Sequence, residues 1–210
     1  AHSYRTANEV GGDYYDFIPL ADGRHAVVIG DASGHGMASG LLMAIANATL
    51  KLAIEIDPAP RQVLALLNRV MCRTGDRRAF MTLFYGLLAP ADGTLEYACA
   101  GHPFPLLRRT DGSVTELGAG GLPLGLRGEL EIPAGGVTLD PGDELTLYTD
   151  GLPEAISRAG EAFGYERLRA LVAPGGPPQQ VHDRVLSAFR AFVGDEPLRD
   201  DACLVVLRRD

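Results

Sequence analysis

The chain has 210 residues, of which 46% are apolar and 22% charged, so it can bury one substantial core and is neither disordered nor fibrous in composition. Twenty-seven acidic against 19 basic residues leave a net charge of −8. No clustered Lys or Arg offers a surface for a phosphate backbone, and a nucleic-acid partner is excluded.

The opening Ser3-Tyr4-Arg5-Thr6-Ala7 reads as a strand already under way, without an initiating Met. One domain over residues 1–210, cut from a longer protein, is the expectation. Two apolar runs, 13–20 and 24–31, flank Asp22-Gly23, a dipeptide that favours a tight hairpin. Gly36 to Ile56 is rich in Ala, Leu and Met and apolar nearly all round, which predicts a helix buried on most faces. Its longest apolar stretch, Leu41 to Ile54, contains Asn47, Thr49 and Lys51 and reads as too short and too polar to cross a bilayer. Arg61 to Arg73 carries Val63, Leu64, Leu67, Val70 and Met71 on one stripe of an amphipathic helix.

Phe80 to Leu88 and Thr94 to Ala100 form a second hairpin around Asp92-Gly93; Phe104 to Arg109 and Val114 to Leu117 form a third around Asp111-Gly112. Further strands are expected at Val137 to Leu139, Glu144 to Tyr148 and Cys203 to Leu207, with two or three short helices in 153–194, one of them Gln180 to Val193. Hairpins segregated from paired helices predict an α+β fold. The scattered Cys72, Cys99 and Cys203 have no metal-ligand or redox spacing and read as reduced thiols, mostly buried, of a cytoplasmic protein.

Asp22, Asp92 and Asp111 are explained by turn chemistry. Four other acidic positions are not. Asp13 opens a strand after Gly11-Gly12, Asp31 and Asp150 each end an apolar strand, and Asp200-Asp201 immediately precede one. Acids at the ends of core strands repel one another unless a cation intervenes, and no Lys or Arg lies within 10–22 or 26–50. Oxygen-only donors select hard ions such as Mg²⁺ or Mn²⁺, whereas zinc lacks a His/Cys cluster. The plainer alternatives are an N-cap role for Asp150 before Pro153, a turn or cap at Asp31, and a solvated loop at Asp200-Asp201.

Seven segments in order resemble the SpoIIE/RsbU-like bacterial branch of the metal-dependent 2C-type (PPM) serine/threonine phosphatases: Gly11 to Asp16, Gly30 to Gly36, Phe80 to Leu83, Ala100-Gly101-His102, Gly121 to Gly125, Tyr148 to Gly151, and Asp200-Asp201. The resemblance implies a four-layer α-β-β-α sandwich of two antiparallel sheets flanked by helices. It implies two Mn²⁺ or Mg²⁺ ions, with Asp31 bridging them, the carbonyl of Ala32 also coordinating, Asp150 and Asp200 on the first ion and Asp13 on the second. Asp201 is the alternative to Asp200, and Asp16 a supporting residue. A water held between such ions would be the nucleophile, so no catalytic side chain is assigned and no cysteine is required. His35 is a candidate proton donor, and His102 reads as a structural loop residue. The implied partner is a phosphorylated protein of the anti-anti-sigma type, with a homodimer compatible. The alternative is a catalytically degenerate scaffold or sensor on the same fold. A nucleotide hydrolase is disfavoured, because no Gly-x-x-x-x-Gly-Lys-Ser/Thr loop is present.

Overall fold

The structure is a computed structural model that describes residues 1–7, 9–34, 36–74, 79–118 and 120–210. In chain order its elements are β1 (His2–Arg5), β2 (Asp13–Pro19), β3 (His25–Ala32), α1 (Met37–Ile56), α2 (Pro60–Met71), β4 (Met81–Ala89) and β5 (Thr94–Ala100). There follow β6 (Leu106–Arg108), β7 (Val114–Glu116), β8 (Ala134–Thr138), β9 (Glu144–Tyr148), α3 (Tyr165–Val172), α4 (Pro178–Val193) and β10 (Ala202–Arg208). The chain divides into two compact units, each assembled from separate stretches of sequence.

One unit comprises Asn8–Phe104 and Gly118–Thr138. Its five-stranded antiparallel sheet has the order β2-β3-β4-β5-β8. The Asp22 and Asp92 turns form as expected: each Oδ1 accepts the backbone N–H two residues on, from Arg24 at 3.0 Å and from Thr94 at 2.8 Å. Strand alternation sends Ala26, Val28, Leu83 and Tyr85 to one face, where they join Leu42, Leu50, Val63, Leu64 and Leu67 of α1 and α2 in a single cluster. Helix α2 starts with Pro60 in its first turn, where a missing N–H is harmless.

Helix α1 corrects an expectation. Its apolar circumference does not mean burial on most faces: six residues are buried, whereas Met37, Leu41 and Ile56 are 72%, 60% and 68% exposed. By length and composition it is also apolar enough to cross a membrane, contrary to the reading of Leu41 to Ile54, although its buried side packs on β3 and α2.

The other unit comprises Ala1–Ala7, Pro105–Leu117 and Leu139–Asp210. Its five-stranded antiparallel sheet has the order β1-β10-β9-β6-β7. Tyr148, Leu204 and Val206 on one face pack with Phe163, Val185 and Phe189 from α4 and the segment before α3. Helix α4 ends at Gly194, whose φ of 64° is the left-handed conformation that glycine adopts freely.

Two buried carboxylates open β9 in this unit, and both have arginine partners. Asp143, 1% exposed, lies 2.6 Å from Arg109 Nη1 and accepts the N–H groups of Asp140 at 2.7 Å and Thr110 at 3.2 Å. Glu144 faces Arg108 at 3.8 Å and accepts the Gly176 N–H at 2.9 Å. Arg109 is partly exposed and also faces Asp140 at 3.9 Å, so the main loss on Asp143→Ala is the acceptor for the Asp140 and Thr110 N–H groups, and the change is expected to cost about 1–3 kcal/mol. Equilibrium unfolding in urea checks this, with Asp140→Ala, on an exposed carboxylate, as the near-neutral comparison.

Candidate metal and phosphate site

In the first unit, β2 and β3 pair in a register that sets Asp13 directly opposite Asp31. Cross-strand neighbours in antiparallel strands bring their Cβ atoms to about 4.5–5.5 Å, where two like charges destabilise the sheet. Both side chains lie on the face away from the α1/α2 cluster, since Tyr14, Ile18, Ala26, Val28 and Ala32 occupy the other. Gly12 makes this possible. A Cβ there would come within 2.6 Å of the Ala32 carbonyl oxygen and 3.2 Å of Asp31 Oδ1. The glycine thus leaves open a small cradle lined by two acceptor oxygens.

Thr82 of β4 is opposite Asp31 on the next strand, and its hydroxyl lies 2.9 Å from Nδ1 of His102. His102 is buried, in keeping with a structural loop role. Sequence reasoning misses the proximity of this Thr–His pair to Asp31, because nothing local joins positions 31, 82 and 102. Asp16 sits on the opposite face from Asp13. It accepts the Tyr14 hydroxyl at 2.8 Å and faces Lys51 Nζ of α1 at 3.8 Å. Its role is thus to join β2 to α1, not to support Asp13.

In the second unit, Asp150 follows β9 and Asp200 precedes β10. The two backbones pack hard here. A Cβ on Gly151 would meet the Asp201 carbonyl oxygen at 1.8 Å. Asp150 caps no helix: Pro153 opens only a turn, with the Glu154 N–H donating to the Asp150 carbonyl at 2.8 Å, and α3 begins at Tyr165. Burial, then the charges of Asp200 and Glu154, push the Asp150 carboxyl up to about 6. Among the described residues no Lys or Arg pairs with Asp150 or Asp200, in contrast to Asp143 and Glu144 in the same sheet. Asp201 is buried and tethers the N-terminal segment, with Oδ1 accepting the Ala7 N–H at 2.7 Å and Oδ2 the Tyr4 hydroxyl at 3.4 Å. It is therefore no solvated loop residue.

The acids thus come as two pairs, Asp13 with Asp31 and Asp150 with Asp200. Among the described residues no three His, Cys, Asp or Glu side chains form one metal-sized cluster. The pairs are oxygen-only donors without cationic partners at Asp150 and Asp200, a donor set that suits a hard divalent ion. His35 lies outside the described residues. The thiol of Cys99 is pushed up to about 11 by burial, and such a group is a poor nucleophile near neutral pH.

The sequence matches the family model for stage II sporulation protein E (SpoIIE) over residues 21–210. The chain belongs to the SpoIIE family. The SpoIIE-family chain is 29% identical to the phosphoserine phosphatase RsbU of Bacillus subtilis over 97% of its own length, and 25% identical to protein IcfG of a Synechocystis species over 99%. It spans 61% of the length of RsbU and 37% of that of IcfG. The SiaA-PP2C domain of Pseudomonas aeruginosa has a similar structure, with a TM-score of 0.87 at 25% identity, covering 100% of this chain and 85% of that one. The fold is that of a PP2C-type protein phosphatase domain.

Proposed function

We propose that this SpoIIE-family domain removes phosphate from phosphoserine or phosphothreonine on a protein, and that it requires two Mn²⁺ or Mg²⁺ ions to do so. The observation that carries the proposal is the contrast within one sheet. Asp143 and Glu144 are buried with arginines, whereas Asp150 is pushed up to about 6 beside Asp200. Two neighbouring carboxylates with which no Lys or Arg pairs among the described residues would be relieved by a bound cation. The donors proposed, as the family resemblance has them, are Asp13, Asp31 and the Ala32 carbonyl, and Asp150 and Asp200. Asp200 is preferred to Asp201, whose two oxygens already accept protein donors.

When bound, the metals supply charge neutralisation on the phosphate and activation of water. The chain's own residues supply oxygen donors on fixed strand ends. Gly12 keeps the approach to Asp31 and Ala32 clear, and the Gly151 contact fixes Asp150 against Asp200. The named activity of RsbU supports a phosphoserine substrate. A phosphorylated anti-anti-sigma-type regulator, met in the cytoplasm, is the partner proposed. The test is phosphate release from such a phosphoprotein with Mn²⁺, after chelation, and after Mn²⁺ is restored. Binding of the phosphoprotein with no release under any of these conditions would establish a scaffold instead.

The proton and the metal compete for Asp150. Because folding raises its pKa from 3.8 to about 6, the protonated form is favoured in the fold. The associated stability of the metal-free domain is complete below pH 3.8 and is lost as pH rises through about 6. Metal binding needs the ionised form. The rise in melting temperature caused by Mn²⁺ is therefore expected to be full at about pH 7.5 and to shrink as pH falls through about 6. Thermal melts with and without Mn²⁺ across that range check it, and a metal effect constant from about pH 7.5 to about 5 would count against Asp150 as a ligand.

A further inference from the structure

The sheet of the first unit ends at β8, and among the described residues no strand pairs with its outer side. The other edge strands are blunted by charge or proline, which discourages a further strand from adding. β2 carries Asp13 and Asp16 and ends at Pro19, β1 ends at Arg5, and β7 ends at Glu116. β8 reads Ala-Gly-Gly-Val-Thr, is exposed over Ala134 to Gly136, and has no charge, proline or bulge in its register with β5. That register shows which of its groups face outward. The Cys99 N–H donates to the Pro133 carbonyl at 3.3 Å, so the hydrogen-bonded pairs of the β5–β8 ladder are Cys99–Pro133, Tyr97–Gly135 and Leu95–Val137. Ala134 and Gly136 alternate with these and point their N–H and C=O groups away from β5.

The two glycines of β8 differ. Gly135 is covered by the ring of Tyr97, its cross-strand partner, which leaves no room for a Cβ. A Cβ on Gly136 would meet nothing nearer than 3.9 Å, and its φ is not positive, so neither packing nor backbone conformation calls for glycine there. Such a glycine inside a strand marks a close approach by a ligand or another backbone. Gly136 shares a face with Glu96 and Ala134, and these two line a groove of about 450 Å³ together with Ala59 and Pro60 at the start of α2.

We infer that β8 receives an extended segment of a partner protein, paired to the outward N–H and C=O groups of Ala134 and Gly136, with an aromatic side chain lying over Gly136 as the Tyr97 ring lies over Gly135. An aromatic neighbour compensates a glycine at a sheet edge. Side chains of an added strand alternate in step with β8, so the one opposite Gly136 falls on the face that holds the groove. Length selects the occupant. The edge is five residues long, enough for recognition by strand addition, whereas a stable dimer with a second copy engages about 20–30 residues a side.

The test titrates the full chain with the end-blocked peptide Thr-Val-Phe-Val-Thr while NMR follows the backbone amides. Saturable shifts are expected at Ala134 and Gly136, with a Kd of about 1 mM or tighter. N-methylation of the peptide's Phe removes the donor opposite Gly136, and Gly136→Pro removes the outward N–H without touching a bond to β5. Each is expected to weaken binding at least about 10-fold. Exchange of the peptide's Phe for Ala is expected to weaken it about 3- to 10-fold. Gly136→Ala keeps the N–H and is expected to bind within about threefold of wild type, with a melting temperature equal to wild type or up to about 2–4 °C higher. Absence of shifts at these two amides would overturn the inference. So would undiminished binding of the N-methylated peptide, a check that holds even if Gly136→Pro fails to fold. Shifts at the same amides on concentrating the domain without peptide would name a second copy as the occupant and overturn it too. Phosphate release plays no part in the outcome, which is therefore independent of the phosphatase reading.

Discussion

Asp31→Asn is expected to lower Mn²⁺-dependent phosphate release by at least about 10²- to 10³-fold while leaving the fold intact or slightly more stable. The two effects have opposite signs for one reason. Asp31 stands directly across from Asp13 in the β2–β3 register, so removing its charge relieves a cross-strand repulsion worth roughly 0.2–1 kcal/mol in the metal-free protein. The same change deletes an anionic oxygen from the proposed donor set, and hard cations lose affinity sharply with each anionic ligand removed. Phosphate release and denaturant unfolding without metal, measured on one preparation, read the two separately. A variant that unfolds like wild type and still releases phosphate at the wild-type rate would remove Asp31 from the mechanism.

Gly151→Ala is expected to be the most damaging one-carbon addition in the second unit. The new Cβ would sit 1.8 Å from the Asp201 carbonyl oxygen, and the obstacle is backbone, which cannot swing aside as a side-chain tip does. The strand ends at 150 and 200 must separate. Overpacking of this sort costs about 3 kcal/mol, which for a domain of this size lowers the melting temperature by about 6–12 °C. The separation also pulls Asp150 from Asp200, so Mn²⁺ should stabilise the variant less than wild type. Gly160→Ala is the control: a Cβ at that position meets no atom within 4 Å, although the φ of 83° adds backbone strain. Scanning calorimetry with and without Mn²⁺ decides the matter, and an unchanged melting temperature in Gly151→Ala would show that the contact yields freely.

The hairpins are legible in sequence because their signals are local. Asp22-Gly23, Asp92-Gly93 and Asp111-Gly112 turn the chain by a side-chain-to-backbone bond two residues on, and the flanking strands follow. Strand β8 is displaced from its expected place at Val137 to Leu139 and runs over Ala134–Thr138. Its two glycines argue against a strand by propensity, yet Gly135 is there because the Tyr97 ring lies over it, with the hydroxyl 2.7 Å from where a Cβ would be. Helix α1 misleads for a related reason: composition reports how apolar a helix is, and only the packing of β3 and α2 decides which side of it is covered.

The acids at strand ends are legible as a set because each breaks an apolar run at its terminus. Their partners are not. Lys51 reaches Asp16 from the helix two elements further along the chain, and Tyr4 and Ala7 reach Asp201 from the opposite end of the sequence. Nor does any local signal separate Asp143, buried with Arg109, from Asp150, half-buried without such a partner among the described residues. Sequence spacing marks where a carboxylate can be, and long-range packing decides whether it is already neutralised.

The β1–β10 ladder also governs the order of assembly during synthesis. His2 pairs with Val205 and Arg5 with Ala202, so the second sheet cannot close its edge until residues 202–208 have left the ribosome. The stretch from 8 to 138 holds every strand of the other sheet and emerges well before then. Vectorial translation therefore lets the Asp13–Asp31 pair form early and leaves the Asp150–Asp200 pair until last.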